Sequence, residues 1–460
     1  MNNPLLSAPD LPAFADIRPE HVATALDALL PAAQQALERA VSAAVPANYE
    51  ALSAALDVPL ERLSRAWSAV AHLNAVNSTP ELRAAYNDNL GRVTDFYTQL
   101  GADQRLFAKY KAVAAHPGGL SAARQRALAN AMRDFVLSGA ELTGQARERF
   151  AQLQSRSAEV AQAFADHVLD ATDGYSLQVS AAQLAGVPDD VCQAARAAAQ
   201  AQGDEGYRLG LHQPCLTPVL QYADDRGLRE RLYRANITRA SEFGPAALDN
   251  TPLMAEALSL RREEAALLGY PSFAELSLVP KMAKSPQQVG AFLRELAQRA
   301  RPHAELDLAE LRRFAAQQLA LDELQPWDLP YAAEKLKEQR FAFSEQEVKQ
   351  YFTEPRVLDG LFGLVETLFD VRIRPDTAPL WHDSVRFYRI ERSGGADQPP
   401  RLVGQFYLDA YARAGKRPGA WMDEVRSRWA RPDAALPNAA AQTPVAQLVC
   451  NYAPPVGTNQ

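Results

Sequence analysis

The sequence is poor in cysteine: Cys192, Cys215 and Cys450 are the three among 460 residues, widely spaced, odd in number and without a CxxC pair. This excludes a disulfide framework and suits reduced thiols in a cytoplasm. Long apolar runs are also missing. No stretch approaches the ~18 residues that a membrane span requires. The opening MNNPLLSAPDLPAF lacks a basic start leading into an apolar core, so no secretory signal is read there. Excess positive charge is absent too. A net charge of −7 argues against a general nucleic-acid binder, which would carry a basic face. The usual catalytic signatures are missing as well. There is no GxSxG elbow, no GxGxxG or GxxxxGK[ST] phosphate cradle, and no HxH or HExxH.

What is present is the composition of a soluble globular protein, 47% hydrophobic and 22% charged. The length exceeds one ordinary core and suggests two lobes. Residues 1–172 read as a helical N-terminal lobe. IRPEHVATALDALLPAAQQALERAVSA places Val22, Leu26, Leu29, Leu30, Leu37 and Val41 at helical spacing, with Pro19 in a tolerant first turn. In TPELRAAYNDNLGRVTDFYTQLGAD, Thr79 is a cap ahead of Pro80 and Glu81. Residues 173–460 read as a helical region with short strands. GYSLQV and GYRLGL alternate like strands around a helical PDDVCQAARAAAQAQ, and strands gather from Val371 onward in VRIRP, VRFYRIER, RLVGQFYLDAYAR and VAQLVCNY. The fold class expected is mainly α, with a small β-sheet towards the C-terminus.

The histidines offer no metal site. His21, His72, His116, His167, His212, His303 and His382 never fall at the i, i+4 spacing that turns two imidazoles onto one ion. The nearest approach is His212 with Cys215 in HQPC, and Cys192 upstream. It lacks a fourth ligand, and Pro214 reads as a bend, so ordinary turn and core residues are the better account. Cys450 in an apolar strand reads as a buried, inert thiol. Asp224, Asp225, Glu263, Glu264 and the pairs Arg261–Arg262 and Arg312–Arg313 read as solvated helix faces. The residues by themselves form no complete catalytic constellation.

A resemblance adds to this. NNPLL…LPAFADIRPEHV, HLNAVNSTPELRAAYN, MRDFVLSG, LYRANITRAS, EEAALLGYPSFAELSLVPKMAKSPQQV, LQPWDLPYAAEK and GLFGLVETLFDV resemble the oligopeptidase A branch of the thimet-oligopeptidase family of zinc metallopeptidases. The most distinctive stretch is WHDSVRFYRI…GQFYLDAYARAGKRPGAWMDE, from Trp381 to Glu424, and PVAQLVCNYAPPV also matches. The resemblance extends almost end to end, with the motifs in the family's order.

It implies a mostly helical, two-lobed oligopeptidase fold around a channel that admits short peptides. It also implies a zinc ion held by the two histidines of an HExxH helix and a later glutamate. The HExxH glutamate would act as general base on metal-bound water, with tyrosine and histidine groups aiding the oxyanion. In that family the HExxH helix follows soon after the CNY…P strand. The expectation for these 460 residues is therefore a chain truncated before it, with no catalytic residue, no metal ligand, no bound zinc and no activity alone. Helices beyond Gln460 would be needed to cover the strand layer. Gly419, Ala420 and Trp421 are the candidates for holding a peptide backbone along an edge strand. Phe406, Tyr407 and Leu408 read as strand core, and Lys416 and Arg417 as surface charge. The expected partners are short peptides, without nucleic acid or membrane, in a cytoplasmic monomer. The alternatives are a non-catalytic peptide-binding or scaffold protein and, within the family, a dipeptidyl carboxypeptidase.

Overall fold

Helices dominate the computed structural model, which describes residues 3–7, 11–394, 399–430 and 441–455. Six helices open the chain: α1 (Pro19–Val41), α2 (Tyr49–Val76), α3 (Pro80–Gly101), α4 (Gln104–Ala115), α5 (Ala122–Leu137) and α6 (Gly144–Asp173). Their starts are set by local chemistry. The Asn48, Thr79, Asp103 and Ser121 side chains accept from the otherwise orphaned N–H groups of the first turns of α2 to α5, and prolines occupy the first turns of α1 and α3.

A small unit follows. Strands β1 (Leu177–Val179) and β2 (Tyr207–Leu209) pair antiparallel around α7 (Asp189–Gln200), and α8 (Gln213–Tyr222) and α9 (Arg226–Ile237) complete it. Leu184, Val191, Leu209, Leu216, Val219, Leu228 and Leu232 form its core. HQPC is not a bend here: His212 is the N-cap of α8, and Pro214 lies in the helix's first turn, where a proline costs no hydrogen bond. Helices α10 (Thr251–Leu267), α11 (Phe273–Leu278), α12 (Pro286–Gln318), α13 (Leu329–Phe341), α14 (Glu345–Lys349) and α15 (Glu354–Phe369) lead into the C-terminal strands. No helix among the described residues is long and apolar enough to cross a membrane.

The strands are β3 (Arg372–Pro375), β4 (Arg386–Arg392), β5 (Arg401–Tyr411), β6 (Trp421–Arg426) and β7 (Val445–Tyr452). They form one mixed sheet in the order β3-β4-β5-β7-β6, with β5 and β7 parallel and the other pairs antiparallel. The strand VAQLVCNY therefore lies inside the sheet, and alternate residues Val445, Gln447 and Val449 are buried.

The sheet is less bare than its sequence position suggested. Its Phe387, Tyr407, Val425, Val445 and Val449, with Val385 just ahead of β4, share a core with Val22, Leu26, Leu63, Val70, Leu73 and Phe96 of α1, α2 and α3. On the other side, Leu358 and Phe362 of α15 pack against Tyr388, Leu408 and Ala410. Helices from before the strands thus supply cover expected from helices after them. One core draws on residues from both sides of the 172/173 division.

Candidate functional site

The histidines are dispersed. His72 is buried against Trp381, with ring centroids 4.3 Å apart, and Phe14 lies 5.5 Å away. His167 Nδ1 meets Asn250 Oδ1 at 2.8 Å, His212 Nε2 meets Asp173 Oδ1 at 2.8 Å, and His382 Nδ1 meets Ser384 Oγ at 2.8 Å. Cys192 and Cys215 pack separately against the core of the β1–β2 unit, and burial raises the pKa of both thiols. Among the described residues no three His, Cys, Asp or Glu side chains could hold a metal ion, so this donor set does not fit zinc.

The peptide-binding candidates sit at one place. Trp421 opens β6, the outermost strand on its side of the sheet, and pairs with Val449 of β7. Its ring is half-buried against the core shared with α1–α3, whereas Gly419, Ala420, Met422, Asp423 and Glu424 are exposed. A strand in this position offers one side of its backbone to a further extended chain. Gly419 has φ +106°, a region costly for any residue with a Cβ. The Asn451 side-chain nitrogen donates to Gly419 O at 2.6 Å and to Arg417 O at 3.0 Å, fixing the approach to the strand.

Lys416 is not a surface charge. It is fully buried, because the loop from β5 to β6 folds it under the end of the sheet. Its ammonium donates to Asp409 Oδ1 at 2.7 Å and to the carbonyls of Tyr411 and Cys450 at 2.7 Å each. Arg413 adds a two-pronged contact to Asp409, 2.7 Å to each oxygen, and reaches Val76 O at 2.7 Å. Trp381 Nε1 completes the shell at 3.0 Å from Asp409 Oδ2. Burial alone would raise the Asp409 pKa, but the hydrogen bonds from Arg413, Lys416 and Trp381 outweigh it and hold the carboxyl below its usual range. The same loop is tied outward. Gly415 N donates to Asp173 Oδ2 at 2.9 Å, Ser78 N to Gly415 O at 2.9 Å and Arg417 N to Ala75 O at 2.8 Å.

Sequence reasoning missed Asp409, Lys416 and Arg413 as a group. A signal was there: an acid in FYLDAY followed at i+4 and i+7 by two bases, in a strand too apolar to carry a solvated charge. Asp328 was also missed. It is wholly buried and paired with Arg226 at 2.7 Å and Arg229 at 2.8 Å, and Arg229 is itself buried.

An α-rich chain with a mixed sheet near its end, in which β6 is the outermost strand among the described residues, thus defines the setting in which likeness to known proteins is read. The model described as Neurolysin/Thimet oligopeptidase, N-terminal domain matches residues 26–147, and that described as Peptidase family M3 matches residues 219–460. The second match takes in more than half of the chain, and the chain belongs to peptidase family M3. Among individual relatives, oligopeptidase A of Haemophilus influenzae is 39% identical over 99% of this chain and 66% of its own length. Oligopeptidase A of Escherichia coli is 40% identical over the same shares, 99% and 66%. Dipeptidyl carboxypeptidase of Escherichia coli is 28% identical over 86% of this chain and 57% of its own. The chain therefore spans 66% of the length of these two bacterial oligopeptidases A.

Proposed function

We propose that the chain is the peptide-binding part of an oligopeptidase A-like peptidase of the cytoplasm, acting on short peptides. The observation that carries this is the identity to oligopeptidase A over 99% of the chain, well above that to dipeptidyl carboxypeptidase. Gly419, Ala420 and Trp421 hold the backbone of an extended peptide against the free side of β6, and exposed side chains such as Met422 and Glu424 supply selectivity. The family's chemistry is hydrolysis by zinc-activated water, and the residues described here do not supply its ligands. The 460 residues alone should bind peptides without cleaving them.

The test uses the purified chain with zinc added and removed. Elemental analysis should find no stoichiometric zinc after dialysis. A quenched-fluorescent peptide should stay intact, while fluorescence anisotropy should detect binding of a labelled short peptide. Chelator-sensitive cleavage by this chain would overturn the division of labour. Absence of peptide binding would overturn the role of β6.

A further inference from the structure

In the register of β6 with β7, Trp421 faces Val449, so the next like-oriented pair would be Gly419 with Asn451. That rung is not made by the backbone. The Asn451 amide takes its place, each N–H going to one carbonyl, Gly419 O at 2.6 Å and Arg417 O at 3.0 Å. A Cβ built on Gly419 would meet nothing within 4 Å, so crowding does not explain its φ of +106°. The turn of the Gly419 carbonyl towards Asn451 does.

The anchor is rigid on its other side. Cys450, the residue before Asn451, gives its carbonyl to the buried Lys416 ammonium at 2.7 Å, and Lys416 stands just ahead of Arg417 in the loop that Asn451 holds. The loop is thus tied to β7 twice, by the buried Lys416 ammonium on the Cys450 carbonyl and by the Asn451 amide on the Arg417 and Gly419 carbonyls.

We infer that Asn451 is a positioning residue: its side-chain amide ends the β6–β7 ladder at Trp421 and sets the Gly419–Ala420 backbone in the orientation that receives a peptide strand. The inference rests on the reading of β6 as the peptide-binding edge. Asn451 does this without touching the peptide. A purely structural role would alter stability, whereas a positioning role alters the recognition of peptide backbone.

The experiment compares two fluorescein-labelled short peptides of one proline-free sequence, one with ordinary amides and one N-methylated at alternate residues. Anisotropy titrations are run with the wild-type chain, Asn451→Ala and Asn451→Gln. The wild type should prefer the ordinary peptide by about tenfold or more, since N-methylation removes the donors a strand needs. Asn451→Ala should lose most of that preference, and Asn451→Gln, which keeps the donor, should regain part of it, with urea midpoints little changed. A full preference in Asn451→Ala would overturn the inference and leave the edge-strand reading intact. No preference in the wild type would overturn the edge-strand reading, and the inference with it. Should Asn451→Ala fail to fold, Asn451→Leu, which keeps the bulk of the side chain and donates no hydrogen bond, decides: loss of preference supports the inference, and an unchanged preference sinks it.

Discussion

Lys416 and Asp409 form an ion pair with no solvent exposure at either side chain, Nζ lying 2.7 Å from Oδ1. A buried pair is tolerated when the remaining donors and lone pairs are also satisfied, and here the ammonium meets two further carbonyls while Arg413 and Trp381 meet the acid. Removing one partner is therefore costly. Lys416→Met should destabilise the chain by about 3–5 kcal/mol, because the carbonyls of Tyr411 and Cys450 lose their donor. Asp409→Asn should be at least as harmful, leaving the buried Lys416 ammonium and the partly buried Arg413 guanidinium without their anion. Urea melts at neutral pH measure both, and a loss below about 1 kcal/mol in either would contradict the pairing.

Gly415 sits where the loop touches Ser78, in the turn between α2 and α3. Its φ is +71°, and an added Cβ would lie 2.7 Å from Ser78 O, a backbone atom that cannot swing aside. Gly415→Ala should cost more than the ~1 kcal/mol usual for a left-handed alanine, since strain and collision add. The matched control is Gly91→Ala on α3, where a Cβ meets nothing within 4 Å and helix propensity favours alanine. Thermal melts of the two should move in opposite directions.

Much of this was legible in the chain. Thr79 before Pro80 announced α3, and the apolar, β-branched run VAQLVCNY announced β7, because caps and strand composition are local. The strand β6 was not visible in residue pattern, since WMDEVR has Met422, Asp423 and Glu424 exposed in a row, with Val425 its one buried residue. Lys416 misled for a different reason. Its neighbours in GKRPG are turn-like and polar, and its burial depends on Asp409, Tyr411 and Cys450 arriving from two separate strands. The peptide-binding candidates came from likeness to a family and not from local pattern.

His72 makes stability depend on pH. Burial pushes its pKa down to about 3, despite the opposing influence of Asp409. The unfolded imidazole takes a proton below about pH 6.5, while the folded one stays neutral until about pH 3. The unfolded state thus binds the extra proton across that window, and stability falls with falling pH by up to about 1.4 kcal/mol per unit. Asp409 adds to the loss at the acid end, as its stabilisation is present above the usual carboxylate pKa and disappears as pH falls through its lowered folded value. Urea midpoints should fall more steeply between pH 7 and pH 4 for the wild type than for His72→Phe, which has no imidazole to protonate. Parallel pH profiles would contradict the burial of a neutral His72.

Helix α15 is apolar on two faces. Leu358 and Phe362 pack against the sheet, and Val357, Leu361, Leu364 and Leu368 point elsewhere, each 44–66% exposed. Their spacing of four, three and four residues forms one continuous stripe along the helix. An apolar stripe of this kind captures hydrophobic dyes and other apolar surfaces, in contrast to scattered exposed leucines. The chain should therefore bind 8-anilinonaphthalene-1-sulfonate while still unfolding cooperatively. Leu361→Glu combined with Leu368→Glu should lower the dye signal at least severalfold and leave the urea midpoint within about 0.5 kcal/mol of wild type, because neither side chain is among the groups packed on the sheet. A dye signal unchanged by this pair would place the apolar surface elsewhere, and the exposed Phe292, Leu293 and Leu296 of α12 would be the next substitutions to make.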